Sequence, residues 1–268
     1  MTNLAAHASR LLGRGAIGST PLHGGDLSEI QMVTLEGGTR LVAKSGETAK
    51  TEADMLAAIR AADVPAPAVL ACDETMLVLE LLPDDGSLSN TWADLGEKIR
   101  RLHAALGSAY GWEKDYRFHT VSIPNMYAES WPQFWAERRL LPSLPHVAAS
   151  FVPRIEKLAA RLGEILPTTP PPSLLHGDLW SGNILSYKGK TSGLIDPACY
   201  YGHGEVDLAM LHLFASPGPE FQAGYGELEA GWEARLPIYQ LWPALVHLRL
   251  FGSGYSGMVD RMLRAAGV

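Results

Sequence analysis

The stretch Leu174-Leu175-His176-Gly177-Asp178-Leu179-Trp180-Ser181-Gly182-Asn183-Ile184-Leu185, followed shortly by Leu194-Ile195-Asp196-Pro197, organises this chain. One short apolar run leads into Asp178, a second leads into Asp196, and Asn183 opens the run between them. Runs of this length read as strands, so the three polar residues fall on the loops that join them. Any one of them alone is a turn residue, because Asp and Asn side chains bond nearby backbone. All three in register, with His176 in front, call for chemistry. Transfer of a phosphoryl group to a hydroxyl needs one carboxylate for the acceptor's proton, and an Asn and a second Asp to hold Mg²⁺ against nucleotide phosphates. Asp178, Asn183 and Asp196 are the residues for those roles.

Composition sets the frame. The chain has 268 residues, 47% of them apolar, which is ample for a buried core. It carries 22 basic and 29 acidic residues with no basic run, and this disfavours a nucleic-acid partner. Cys72 and Cys199 are its two cysteines, far apart, so neither a metal framework nor a disulfide framework is expected. No leader pattern and no bilayer-length apolar stretch stand out. A soluble cytoplasmic protein without membrane or nucleic-acid partners is the expectation.

Upstream of the organising stretch, a first helix ends at Gly13, and residues 17–44 alternate as three strands. The first turn between strands carries Gly24 and Gly25, whose backbone N–H groups could approach phosphate closely. Lys44 closes the apolar run Leu41-Val42-Ala43, and the helix expected over 47–62 presents Glu52 eight positions later (52 − 44 = 8). A lysine and a glutamate so placed can grip the α and β phosphates. Two further strands, 68–72 and 76–80, complete a five-stranded antiparallel sheet with one helix against it. The polar, Pro- and Gly-marked segment after Leu82 divides a lobe of 1–83 from one of 84–268, and the backbone of Glu80, Leu81 and Leu82 is expected to line an adenine pocket.

The remainder is mainly helical. Trp92, Leu95, Ile99, Leu102 and Leu106 form one buried stripe, with His103 beside it as a satisfied core histidine. Residues 110–127 read as a long aromatic loop, and Asp115 and Tyr116 on it are candidate substrate contacts. Ser130 reads as a helix cap, Pro237 as a helix start, and a last helix closes the chain at 262–266. Glu205 and Asp207 open a helix, where acids favour the dipole; with Trp180 they complete the candidate substrate set.

Taken together, these stretches are similar to the fructosamine (ketosamine-3) kinase family, relatives of aminoglycoside phosphotransferases. The resemblance rests on His176-Gly177-Asp178-Leu179-Trp180-Ser181-Gly182-Asn183 and on the segment from Ile195 to Met210. It rests also on Ser130-Trp131-Pro132-Gln133-Phe134-Trp135, on Gly24-Gly25-Asp26-Leu27-Ser28-Glu29, and on Leu236-Pro237-Ile238-Tyr239 with Leu250-Phe251-Gly252-Ser253-Gly254-Tyr255. It implies an α+β, two-lobed protein-kinase-like fold, with a five-stranded antiparallel N-lobe and a mainly helical C-lobe. It implies ATP and Mg²⁺ as cofactors, with Asp178 as base, Asn183 and Asp196 as metal ligands, and Lys44 with Glu52 at the phosphates. The expected acceptor is the sugar 3-hydroxyl of a small ketoamine or of a glycated lysine on protein. This chain departs from the pattern in three places: the short Lys44-to-Glu52 connection, Gly204 where Arg is frequent, and Asp26 where some members have Cys. An aminoglycoside or choline-type kinase is the rival enzyme, and a nucleotide-binding scaffold without turnover the non-enzymatic alternative. Protein kinase activity is disfavoured, since only eight residues separate Asp196 from Glu205 (205 − 196 − 1 = 8).

Overall fold

A computed structural model describes residues 3–22 and 29–268. Helix α1 (Asn3–Leu12) ends at Gly13, which takes a left-handed φ of +63°. Strands β1 (Ala16–Pro21), β2 (Ile30–Leu35) and β3 (Arg40–Ser45) follow, with Gly37 and Gly38 turning the second hairpin. Helix α2 (Ala49–Ala61) leads to β4 (Val69–Cys72) and β5 (Met76–Glu80). The five strands form one antiparallel sheet in the order β1-β2-β3-β5-β4.

The period of two along each strand decides what the sheet's faces bury. Leu41 and Ala43 join Val33, Leu35, Met76 and Val78 in packing on Leu4, Ala5 and Ala8 of α1. The alternate positions serve the other face, where Leu77 and Leu79 join the main core with Met55, Leu56 and Ile59 of α2. Lys44 lies on that second face, opposite Leu77 in register, and so points towards the rest of the molecule.

The segment leaving β5 is tied down by hydrogen bonds to the hairpin of β9 (Ile184–Tyr187) and β10 (Lys190–Leu194). Asp85 N donates to the Ser186 carbonyl at 2.8 Å, Asp84 Oδ1 accepts from Ser186 N at 3.1 Å, and Ser192 Oγ donates to the Pro83 carbonyl at 2.6 Å. Helix α3 (Trp92–His103) then buries Leu95, Ile99 and Leu102 as the stripe predicts. It stops short of Leu106, which is 60% exposed and lies outside the stripe. The aromatic stretch expected to be a loop contains a small hairpin, β6 (Tyr116–Phe118) with β7 (Val121–Ile123). Helix α4 (Trp131–Trp135) has no side-chain bond from Ser130 at its start and runs on through a π turn, residues 136–140, into a 3₁₀ turn. After α5 (Val152–Ile165) comes β8 (Ser173–Leu175), which pairs not with its sequence neighbours but with β11 (Tyr200–Gly202).

Helices α6 (Glu205–Phe214), α7 (Pro219–Tyr225), α8 (Trp232–Phe251) and α9 (Ser256–Ala265) complete the chain. Sequence periodicity misses α7 and places the start of α8 at Pro237, whereas the helix begins at Trp232 and carries Pro237 and Pro243 inside it. Among the described residues, no helix is long and apolar enough to cross a membrane.

Candidate active site

Strand β8 delivers His176, Gly177 and Asp178 into a loop whose backbone is fixed by a buried carboxylate. Asp207, in the first turn of α6, accepts from His176 N at 2.7 Å and from Gly177 N at 2.9 Å. His103 Nε2 lies 3.2 Å from the same carboxylate, and its Nδ1 lies 2.9 Å from the Tyr225 hydroxyl. Gly177 has φ +80°, and a Cβ there would stand 2.0 Å from the Ala198 carbonyl oxygen. Glycine is therefore required where the segment after Asp196 presses against the loop. The His176 ring donates from Nε2 to the Ile195 carbonyl at 3.0 Å and accepts from Asp178 N at Nδ1 at 3.3 Å. Burial lowers its pKa and keeps it neutral, the state this pattern of bonds needs.

Asp178 is partly buried, and Asn183 Nδ2 donates both to its carboxylate at 3.0 Å and to its carbonyl at 2.8 Å. Desolvation is the dominant influence on this carboxyl. The Asn183 hydrogen bond opposes it, the nearby Asp196 and Asp207 charges reinforce it, and the pKa is pushed up from the ordinary 3.8 to about 7. With its amide nitrogen engaged by Asp178, Asn183 has its amide oxygen left for a cation. Asp196 has φ +53°, a left-handed conformation uncommon outside glycine and found at sites where geometry is over-determined.

Lys44 joins the sheet to this centre. Its Nζ donates to both Glu52 oxygens, at 2.7 and 2.8 Å, and to Asp196 Oδ1 at 2.8 Å. Burial opposes the charge, but the two carboxylates outweigh it and hold the ammonium protonated far above its ordinary range. The short connection suffices because the turn at 46–48 starts α2 at Ala49, and Glu52 N bonds back to the Thr48 carbonyl at 2.9 Å.

These groups open onto one cleft of about 1070 Å³, which Lys44, Glu52, Tyr116, Asp178, Trp180, Asn183 and Asp196 all line. Three candidate substrate residues lie elsewhere. Asp115 is exposed on the approach to the hairpin and its carboxylate accepts from Asn125 N at 2.7 Å. Asp207 is fully buried beneath the loop that carries Asp178. Glu205 is clasped by Arg235, whose Nε donates at 2.8 Å, and the same guanidinium lies 3.7 Å from Glu229. The ligand atoms of His203, Glu205 and Glu229 lie within 4.8 Å of one another, but Arg235 already supplies the cation there. Each acid is claimed by a donor from a segment remote in sequence, which its place in a loop or first turn could not reveal. Glu80, Leu81 and Leu82 lie where the chain leaves β5 and are not on the wall of this cleft, whose nearest β5 residue is Leu77. Gly24 and Gly25 lie outside the described residues.

At Gly204, a Cβ would stand 2.8 Å from His103 Nδ1 and 3.3 Å from the Tyr225 hydroxyl. The His103–Tyr225 pair thus fills the space a side chain at 204 would need. Unanticipated from sequence is the opposite wall of the cleft, where Met210, Phe214, His247, Phe251 and Tyr255 converge. The helix end Phe251-Gly252-Ser253-Gly254-Tyr255, with aromatics around glycines, was the local signal for it.

An antiparallel five-stranded sheet with a buried lysine–glutamate pair, set over a helical half that carries this Asp, Asn and Asp, defines the protein-kinase-like class of phosphotransferases. A thermostable mutant of an aminoglycoside phosphotransferase, solved with AMP-PNP and hygromycin B, shares this fold with a TM-score of 0.69 at 16% identity, covering all of both chains (100% each). The fructosamine kinase family model matches residues 1–266. A probable ketoamine kinase of Synechocystis is 36% identical over 226 residues, 79% of this chain and 75% of its own. The chloroplastic protein-ribulosamine 3-kinase of Arabidopsis thaliana is 32% identical over 203 residues, 70% of this chain and 62% of its own. The crystal structure of a candidate fructosamine-3-kinase from Thermobifida fusca superposes with a TM-score of 0.90 at 30% identity, covering 98% of each chain. The chain belongs to the fructosamine kinase family.

Proposed function

We propose that this protein is an ATP- and Mg²⁺-dependent ketosamine kinase that phosphorylates the sugar 3-hydroxyl of fructosamine or ribulosamine adducts, on small amines or on protein lysines. In this reading residues 1–83 hold the nucleotide, with Gly24 and Gly25 contributing, and residues 84–268 hold the acceptor. The observation that carries it is the Asp178 carboxyl, held by Asn183 Nδ2 at 3.0 Å in the same cleft as the Lys44–Glu52–Asp196 cluster. The names of the relatives support the ketoamine acceptor.

The donor set suits ATP and Mg²⁺. Asp196 offers a carboxylate and Asn183 an amide oxygen, the hard ligands Mg²⁺ prefers. Lys44 Nζ, between two carboxylates, is a fixed cation for phosphate oxygens. Bound Mg²⁺ supplies neutralisation of the charge on the nucleotide's phosphates. Asp178 takes the proton of the acceptor hydroxyl as that oxygen bonds to the terminal phosphorus and the bond to the β-phosphate oxygen breaks. His176 and Asp207 hold the loop that aims Asp178. Trp180 and Tyr116 border the acceptor.

Asp196→Ala and Asn183→Ala should each raise the Mg²⁺ concentration needed for half-maximal rate, Asp196→Ala the more, since it removes a charge from a hard cation's site. Unchanged Mg²⁺ titrations in both variants would place the metal elsewhere. The Asp178 pKa gives a second expectation. A base that must be deprotonated loses activity in acid, so kcat/KM should fall about tenfold per pH unit below its pKa and level off above it. The Asn183 bond holds that pKa down, so in Asn183→Ala the acid limb should move to higher pH. A profile flat from pH 5 to 8, roughly the range over which such a base titrates, would contradict the assignment. A coupled ADP-release assay over ketoamines, kanamycin-type aminoglycosides and choline tests the acceptor. Ketoamines should give far the highest kcat/KM, and turnover of the others alone would overturn the substrate reading while leaving a kinase.

A further inference from the structure

One wall of the cleft that Asp178 lines is faced by rings from chain segments far from it in sequence. Helix α6 ends on Phe214 and α8 ends on Phe251; Gly252, with φ +84°, then turns the chain so that Tyr255 returns to the same wall. His247 is the hub. Its ring centroid lies 4.9 Å from that of Phe214, 5.1 Å from Tyr255 and 5.6 Å from Phe251. His247 Nδ1 donates to the Pro243 carbonyl at 2.8 Å, which leaves Nε2 as an acceptor on a ring that burial keeps neutral. Phe251 is 47% exposed, a large apolar surface left uncovered at the cleft.

The charges around the cleft are one-sided. Among the described residues that line it, the lysine and the arginine, Lys44 and Arg117, are already paired, with Glu52 and Asp196 and with Glu47 respectively. No lysine or arginine lies among the residues of α6, α8 and Tyr255 that face it.

We propose that this ring cluster is the subsite for the amine-borne arm of the acceptor, and that it selects ketoamines whose amine carrier is apolar or aromatic and lacks a carboxylate. The inference rests on the ketosamine kinase reading and sharpens it. A ketoamine nitrogen is a secondary ammonium at neutral pH. Ring faces attract such a cation, and a neutral imidazole Nε2 accepts its N–H. An apolar arm beyond the nitrogen removes Phe251 and its neighbours from water. A carboxylate beside the nitrogen, as in an amino-acid ketoamine, would lose hydration against rings and meet no free cation.

The test compares N-benzyl fructosamine with fructosyl-glycine in ADP-release kinetics. Wild-type kcat/KM should favour the benzyl compound by about tenfold or more, the scale of discrimination an apolar pocket provides. Phe251→Ala should reduce kcat/KM for the benzyl compound through KM, by about tenfold more than for the glycine compound. Phe251→Arg supplies the missing cation and should shift the preference towards fructosyl-glycine, an outcome no merely structural role of Phe251 would produce. Equal wild-type kcat/KM for the two, or equal losses in Phe251→Ala, would overturn the subsite while leaving the ketosamine kinase reading intact. Turnover of neither ketoamine would overturn both together.

Discussion

Asp178→Asn should lower turnover by about 10² to 10⁴, the contribution of a positioned proton acceptor. The nucleotide is held by other groups, so the Kd for ATP measured by calorimetry should stay near that of the wild type. Loss of activity should come without loss of stability. The folded protein holds a proton on Asp178 up to about 7, whereas the ordinary carboxyl of the unfolded chain releases it near 3.8. Between those values the folded state binds more protons, so stability falls as pH rises through the window and is lowest on the alkaline side. Asn carries no charge to desolvate and should raise the Tm at pH 8, by about 2–4 °C for each kcal/mol gained. Near-normal turnover in this variant would remove Asp178 from the chemistry. A lower Tm would contradict the cause assigned to its pKa.

Asp207→Ala should be the most damaging change away from the cleft. It removes the acceptor for His176 N and Gly177 N, both buried, and strands His103 beside them. Removing one partner from such a network costs about 3–5 kcal/mol, or a fall of about 10 °C in Tm. Assayed well below its new Tm, the variant should lose about 10² in kcat, because the loop that aims Asp178 is no longer fixed. Asp207→Asn keeps one acceptor oxygen and should fall between the two. Wild-type rate and stability in Asp207→Ala would mean that the loop is held by other contacts.

The order His176, Asp178, Asn183, Asp196 was legible because each residue terminates a short apolar run, and the sheet followed from alternation along its strands. The Lys44–Glu52 pair forms across a connection that looks short on paper, since β3 runs one residue past Lys44 and α2 starts abruptly at Ala49. What stayed hidden depends on contacts between distant segments. Asp207 in a first turn has an adequate local explanation in the helix dipole, and only the approach of β8 shows that it anchors the loop of His176 and Gly177. Asp115 and Glu205 look equally available in sequence and are claimed by Asn125 N and Arg235. Gly96 interrupts the α3 stripe because α7 lies against it, where a Cβ would stand 2.2 Å from the Phe221 carbonyl oxygen. A lone glycine announces a close approach without naming its partner. The ring cluster is assembled from the ends of α6 and α8, thirty-seven residues apart (251 − 214 = 37), and the aromatic–glycine pattern at 251–255 does not name Phe214 as its partner.

Identification of the product separates phosphoryl transfer to a ketoamine from any other use of ATP. Wild-type protein incubated with ATP, Mg²⁺ and N-benzyl fructosamine should yield ADP together with one phosphorylated ketoamine. Its ³¹P signal should couple to the proton on sugar carbon 3, and Asp178→Asn should form it at a small fraction of the rate. ADP released without a phosphorylated ketoamine, or phosphate carried on another hydroxyl, would rule out phosphorylation at the sugar 3-hydroxyl.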